Sequence, residues 1–181
     1  MRHYAGIGSR ETPLKVLQQM EKIAIFLAER GFILRSGGAK GADTSFERGC
    51  DNARGIKQIW RSNQANFPFP EWATNKASDV CWEYPLEKMK GQSIALITRN
   101  MYQVYGDSEE YQTPVEFVVY WSPENPLEKG SKGGTRYAVR SAHQAGIPTY
   151  NLRTQKEEFA RLLSTLKEEG KNNEKICKSK H

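Results

Sequence analysis

Three times in 181 residues a short apolar run gives way to a glycine-rich loop that opens directly into a helical pattern. The junctions are "GIGSR" at 6–10, "SGGAKGAD" at 36–43 and "SKGGT" at 131–135. Short apolar runs read as buried strands and a 3.6-residue apolar period reads as a helix. Their alternation through short connections is the pattern of a parallel sheet with crossover helices. It excludes a purely helical bundle and an antiparallel sandwich.

The first strand is "YAGIG" (4–8), after which Thr12 is expected to cap a helix with Pro13 at its first position. Val16, Leu17, Met20, Ile23, Ala24 and Leu27 keep helical spacing through 14–30, and Gly31 is the stop. "FILRS" (32–36) and "IKQIW" (56–60) are strands with a helix over 44–55 between them. "NFPFPEW" (66–72) reads as a loop, followed by helices near 71–80 and 85–101. "PVEFVVYWS" (114–122) has the β-branched and aromatic composition of a strand buried on both faces. A further loop and helix lead to a last strand, "IPTYNL" (147–152). The expected fold is α/β, a Rossmann-like three-layer arrangement with a mostly parallel sheet, forming one domain over residues 1–152. An amphipathic C-terminal helix (153–170) built on Phe159, Leu162, Leu163 and Leu166 belongs to that domain, and 171–181 is a basic, frayed tail.

With 38% hydrophobic residues the chain supports one core of ordinary size. It has no apolar run of membrane-spanning length, and its first residues lack a signal-peptide pattern, so a soluble, cytoplasmic protein without a membrane partner is expected. Cys50, Cys81 and Cys177 are odd in number and far apart, which fits neither a disulfide framework nor a Cys-x-x-Cys ribbon. His3, His143 and His181 show no metal-binding spacing, so no metal site is expected, and His143 reads as structural or exposed. The net charge of +6 permits an anionic partner without requiring one.

Loops at the carboxyl ends of parallel strands border a crevice where the strand order reverses, and the helix N-termini beside them offer N–H groups to a phosphate. Glycine in such loops either lets the backbone approach an anion or merely makes the turn; three together favour the anion. Neither a complete G-x-G-x-x-G nor a P-loop is present. Candidate phosphate-binding residues are Gly8, Ser9 and Arg10 in the first loop and Ser36, Gly37, Gly38, Ala39, Lys40, Gly41 and Asp43 in the second. Gly133, Gly134 and Thr135 belong to the third, with Lys132 and Arg136 flanking it. Asp43 is read either as a helix cap or as an acceptor for a ribose hydroxyl. In "ITRNMYQVYGD" (97–107), Arg99 and Asn100 precede Tyr102 and Tyr105. The tyrosines are either half-buried or aromatic platforms for a base.

"YAGIGSRETP", "LRSGGAKGAD" followed by "FERG", "RNMYQVYG", "PVEFVVYW" and "GGTRYAVRSAHQAGIPTYNL" resemble, in order and spacing, the DNA-processing protein A (DprA/Smf) group of the SLOG superfamily. The resemblance covers about residues 4–152 and extends most closely to short single-domain DprA-like proteins of bacteriophages. It implies a Rossmann-like fold with a nucleotide or nucleic-acid phosphate site at the strand ends. Arg10 resembles the arginine that helps form the family's pocket for single-stranded DNA, Ser36 to Asp43 match its second loop, and Arg99 and Asn100 its R-N pair. The winged helix of many longer members is missing, so their interfaces for the RecA recombinase and for dimerisation are not carried over. In the LOG phosphoribohydrolase branch a glutamate follows the third loop; here Ala138 stands in its place. Glu47 and Glu116 are the weak substitutes.

The expected function is therefore that of a DprA-like protein holding the phosphates of single-stranded DNA in recombination or DNA processing. The alternatives are a binder, sensor or sponge of a free nucleotide or an ADP-ribose-type messenger, and an N-glycosidase acting on nucleoside monophosphates. The balance leans against an enzyme. No cofactor is required beyond a bound nucleotide, a homodimer or higher homo-oligomer is compatible, and a phage-encoded chain would work in the host cytoplasm.

Overall fold

The apolar runs become strands, and every strand pairing is parallel. The computed structural model describes residues 1–61, 69–108 and 110–178. β1 (Arg2–Gly8), β2 (Phe32–Ser36), β3 (Lys57–Ile59), β4 (Phe117–Trp121) and β5 (Thr149–Asn151) form one sheet in the order β3-β2-β1-β4-β5. Tyr4 lies opposite Phe117 and Gly8 opposite Trp121, so β1 and β4 end level. From β1 the chain steps outward to β2 and β3, then returns to β4 and steps outward the other way. This reversal between β1 and β4 parts the connections at the carboxyl ends and opens a crevice there.

Period-2 alternation assigns the strand residues to two apolar layers. Tyr4, Phe32, Leu34, Phe117 and Val119 pack with α1 (Leu14–Ala28), α2 (Ala42–Asn52) and α6 (Lys156–Lys178). Ala5, Ile7, Val118 and Tyr120 pack with α3 (Glu71–Asp79), α4 (Gly91–Tyr105) and α5 (Thr135–Gln144). On the first face the two helices come close because Gly49 has no side chain: a Cβ there would lie 2.8 Å from Ala24 Cβ and collide with the carbonyl of Glu21.

The second face contains two buried arginines that tie loops to the sheet. Arg35, 1% exposed, donates from Nε to Gln58 Oε1 (2.9 Å) and from its two terminal nitrogens to the carbonyl and hydroxyl of Thr113 (2.6 Å each). Burial lowers its pKa to about 10, opposed by Asp107, and it remains a cation at neutral pH. Arg140 on α5 is fully buried. Its guanidinium takes the Glu83 carboxylate in a fork (2.6 and 2.9 Å) and also donates to the carbonyls of Val80, Pro126 and Glu128. Hydrogen bonding to Arg140 holds the Glu83 pKa down at about 2. The long connection from β4 to α5 is thus fastened to the turn after α3.

Several boundaries differ from the sequence expectation. Pro13 stands just before α1, and Thr12 caps nothing; its hydroxyl donates to the Ser9 carbonyl (2.6 Å) and tightens the turn after β1. Pro85 opens only a 3-10 turn (Leu86–Lys88), because Met89 is extended, so the helix expected at 85–101 is α4 at Gly91–Tyr105. α6 continues through Gly170 to Lys178, where a frayed tail was expected; one glycine costs a helix only about 1 kcal/mol. The loop expected at 66–72 lies in its first part outside the described residues. Among the described residues no helix is long and apolar enough to cross a membrane.

Candidate functional site

The crevice between β1 and β4 is a cavity of about 800 Å³, within the size range of ligand pockets. Ile7 to Glu11 at the end of β1 form its back, and Ala39, Lys40 and Asp43 one side. Gly133 to Ala138, at the start of α5, form another side. The remaining wall is one face of α4, where Gln92, Leu96, Arg99 and Gln103 recur at helical spacing. Four cations, Arg10, Lys40, Arg99 and Arg136, share this cavity with two carboxylates, Glu11 and Asp43. Arg10 and Lys40 are exposed. No side chain caps the N-terminus of α5, whose first residues line the cavity; the Tyr137 N–H donates to the Gly134 carbonyl (3.3 Å), and the positive end of the helix dipole lies beside the cavity.

The middle loop behaves differently from its sequence reading. The Asp43 carboxylate turns back on its own loop, and Oδ2 accepts from the N–H groups of Gly37 (3.1 Å) and Ala39 (3.2 Å). Gly38 N–H donates to Ser36 Oγ (3.2 Å) and Gly41 N–H to Thr44 Oγ1 (3.1 Å). These amides are therefore spent within the loop, and Ser36, Gly37, Gly38 and Gly41 do not line the cavity. Asp43 does line it, and it is not the expected cap, because α2 begins one residue before it, at Ala42. Burial pushes the Asp43 pKa up to about 6, against the pull of Arg99 and the two N–H groups.

Arg99 reaches from α4 to the carbonyls of Gly37 and Trp60, and burial lowers its pKa against the charges of Asp43 and Glu47. Asn100 donates to the Gly134 carbonyl (3.1 Å) and so fixes the third loop against α4. Arg136 donates from its two terminal nitrogens to the Ser131 carbonyl and the Tyr137 hydroxyl, while its Nε has no hydrogen-bond partner among the described residues.

Of the residues proposed from sequence, Gly8, Ser9, Arg10, Ala39, Lys40, Asp43, Arg99, Asn100, Gly133, Gly134 and Thr135 meet at one cavity. Glu47 lies beneath the loop, accepting from Ser36 Oγ (2.6 Å) and paired with Arg61 (3.6 Å), and does not line the cavity. Glu116, just before β4, is remote from the cavity and is bound by Arg2 in a fork (2.8 and 2.9 Å). Neither can act as the missing carboxylate. Tyr102 and Tyr105 are core residues packed among Trp60, Trp72 and Ser141, and offer no platform to a ligand. Lys132 does not line the cavity, and His143 is exposed. Sequence reading missed Gln103. Its signal was a polar residue four positions after Arg99, on the helix face that also carries Gln92.

The chain matches no protein-family model, no curated protein and no solved structure. The residues themselves carry any functional reading.

Proposed function

We propose that the protein binds the phosphate of a nucleotide in the cavity between β1 and β4, one nucleotide unit at a time. The observation that carries this reading is the cavity's position and charge: it lies at the strand-order reversal, with four cations against two carboxylates and an uncapped α5 N-terminus. Its volume suits a single nucleotide rather than a track for several. The phosphate sits near the rim, against Arg10, Lys40 and the Gly133–Thr135 turn; the middle loop acts as a rigid wall and supplies no amide cradle. The motif resemblance to DprA-like proteins supports the same location.

The test is isothermal titration with a nucleoside 5′-monophosphate and with its parent nucleoside. The monophosphate should bind more tightly, and Arg10→Ala or Lys40→Ala should each weaken it by about tenfold, the loss of one charge-assisted contact. Equal affinity for nucleoside and monophosphate would sink the reading, as would the absence of any thermal shift at millimolar ligand.

Single-stranded DNA is the second reading, favoured by the exposure of Arg10 and Lys40 and the net charge of +6, which could hold neighbouring phosphates. Affinity that climbs with oligonucleotide length and falls steeply with salt supports the strand; affinity independent of length supports the free nucleotide.

A further inference from the structure

Asp43 is 3% exposed, and the two oxygens of its carboxylate keep different company. Oδ2 is held by the N–H groups of Gly37 (3.1 Å) and Ala39 (3.2 Å). Oδ1 accepts no hydrogen bond among the described residues, yet it is not one of their sealed side-chain atoms without a partner, so it keeps an accessible face. Asp43 lines the cavity, and that face opens there. A buried carboxylate oxygen without a partner destabilises the fold, and a donor carried by an occupant of the cavity relieves it.

Where Asp43 stands decides which donor it meets. Its carboxylate is bonded to Ala39, the residue before Lys40. Gly41 presses on the first loop: a Cβ there would lie 3.7 Å from the Ser9 carbonyl oxygen and 3.8 Å from Arg10 Cα. A Cβ on Gly8 would likewise collide with Ala42 Cβ, beside Asp43. The carboxylate therefore lies one step inward from Arg10 and Lys40, the cations at the rim where the phosphate sits. In a nucleoside 5′-monophosphate the sugar hydroxyls are closer to the phosphate than the polar edge of the base is. A second phosphate does not suit this position, because two anions in a desolvated corner repel each other. A DNA strand suits it no better: it lacks the 2′-hydroxyl, and its 3′-oxygens are esterified.

We propose that Asp43 Oδ1 accepts a hydrogen bond from the ribose 2′-hydroxyl, so that the cavity takes a free ribonucleotide and discriminates against its 2′-deoxy counterpart. This rests on the nucleotide reading above and names its ligand class. Asp43 is the specificity-determining residue, and its own loop makes the test clean. The two N–H groups at Oδ2 require an oxygen there, so in Asp43→Asn the amide oxygen takes that place and the NH2 group stands where Oδ1 was. The acceptor becomes a donor while the loop keeps its bonds.

The experiment titrates wild type and Asp43→Asn with AMP, GMP, CMP and UMP and with their 2′-deoxy and 2′-deoxy-2′-fluoro counterparts. It is run at mildly alkaline pH, where a carboxyl with its pKa raised to about 6 is ionised. Wild type should bind at least one ribonucleotide about tenfold or more tightly than its deoxy counterpart, the worth of one charge-assisted hydrogen bond. The fluoro analogue keeps a polar group at that position but has no proton to give, so it should bind as weakly as the deoxynucleotide. Asp43→Asn should melt at or above the wild-type temperature without ligand and narrow the gap between the two sugars at least about threefold. It should bind deoxynucleotides no more weakly than wild type does, since a buried negative charge near the phosphate is gone. Deoxy forms that bind as tightly as the ribo forms of every base overturn the proposal and leave phosphate binding intact. A fluoro analogue that matches the ribonucleotide overturns it as well, and that arm needs no variant to fold. An unchanged gap in folded Asp43→Asn, or a parallel loss of both affinities, removes Asp43 from sugar recognition. If no nucleotide of either sugar binds wild type, the nucleotide reading itself fails.

Discussion

The two faces of the sheet are built on different terms. Under α1, α2 and α6 the core is mostly apolar and aromatic, with Tyr4, Phe32 and Phe117 in mutual ring contact, Phe46 at 0% exposure, and the Tyr4 hydroxyl as its one unpartnered polar atom among the described residues of that cluster. Under α3, α4 and α5 the interior includes Arg35 and Arg140, both at 1% exposure or less, together with the unpartnered Thr98 Oγ1 and Gln103 Nε2. Buried charge and unpaired polar atoms reduce stability unless every partner is supplied. The second face therefore carries the buried charge, and with it the loops and the cavity that the first face lacks.

The sharpest way to break this comparison is to remove one anchor from each face. Arg140→Ala removes the donors of three carbonyls and leaves a hole where a fully buried guanidinium stood, and should cost about 3–5 kcal/mol in a urea titration, the sum of lost packing and unmade hydrogen bonds. Phe46→Ala should cost a similar amount, about 3–5 kcal/mol, through an apolar cavity. The two should differ in ligand binding. Measured under conditions where each variant is folded, Phe46→Ala should keep the wild-type affinity and Arg140→Ala should weaken it, because of the two only Arg140 anchors the connection that carries Gly133 to Thr135, alongside Asn100. Equal affinities in both variants would remove the functional distinction between the faces.

Acid sharpens it further. The Glu83 pKa lies below its ordinary 4.5, so its contribution is present above that value and is lost as pH falls toward about 2. The Asp43 pKa lies above its ordinary 3.8, so its ionised form opposes folding at neutral pH, and that cost fades as pH falls from about 6 toward 3.8. Stability relative to Asp43→Asn should therefore rise between pH 6 and 4, while stability relative to Glu83→Gln should fall below pH 4.5. Denaturant midpoints across that range check both signs. The smallest expected effect is at the surface: a double-mutant cycle on Arg2 and Glu116, each about 40% exposed, should give less than about 1 kcal/mol. Glu116→Gln should leave ligand binding unchanged.

The strands and the three loops were legible because their signals are local: a β-branched run, a glycine and a helical period lie next to one another in "FILRSGGAKGADTSFERG". The gathering of those loops at one cavity followed from topology, since β1 and β4 must part where the order reverses. What the sequence hid was the company each polar residue keeps. Asp43 has two local readings, and neither foresaw the Gly37 and Ala39 N–H groups that its Oδ2 accepts from. Glu47 looked available, yet Ser36 and Arg61 claim it. Gln103 borders Gly37 across 66 positions of chain, and Arg140 holds Glu83 across 57. Such pairings have no periodicity to betray them. α4 was misplaced for a local reason, because Pro85 is as good a start for a single 3-10 turn as for a helix.

The outermost strands have a consequence for how copies of the chain meet. β3 and β5, the two borders of the sheet, are each three residues long. A neighbouring chain aligned along either border finds only a rung or two of unpaired backbone, too few to extend the sheet from one molecule into the next. Among the described residues, ribbon growth by strand addition, the usual hazard of an open parallel sheet, is discouraged at both sides by brevity alone.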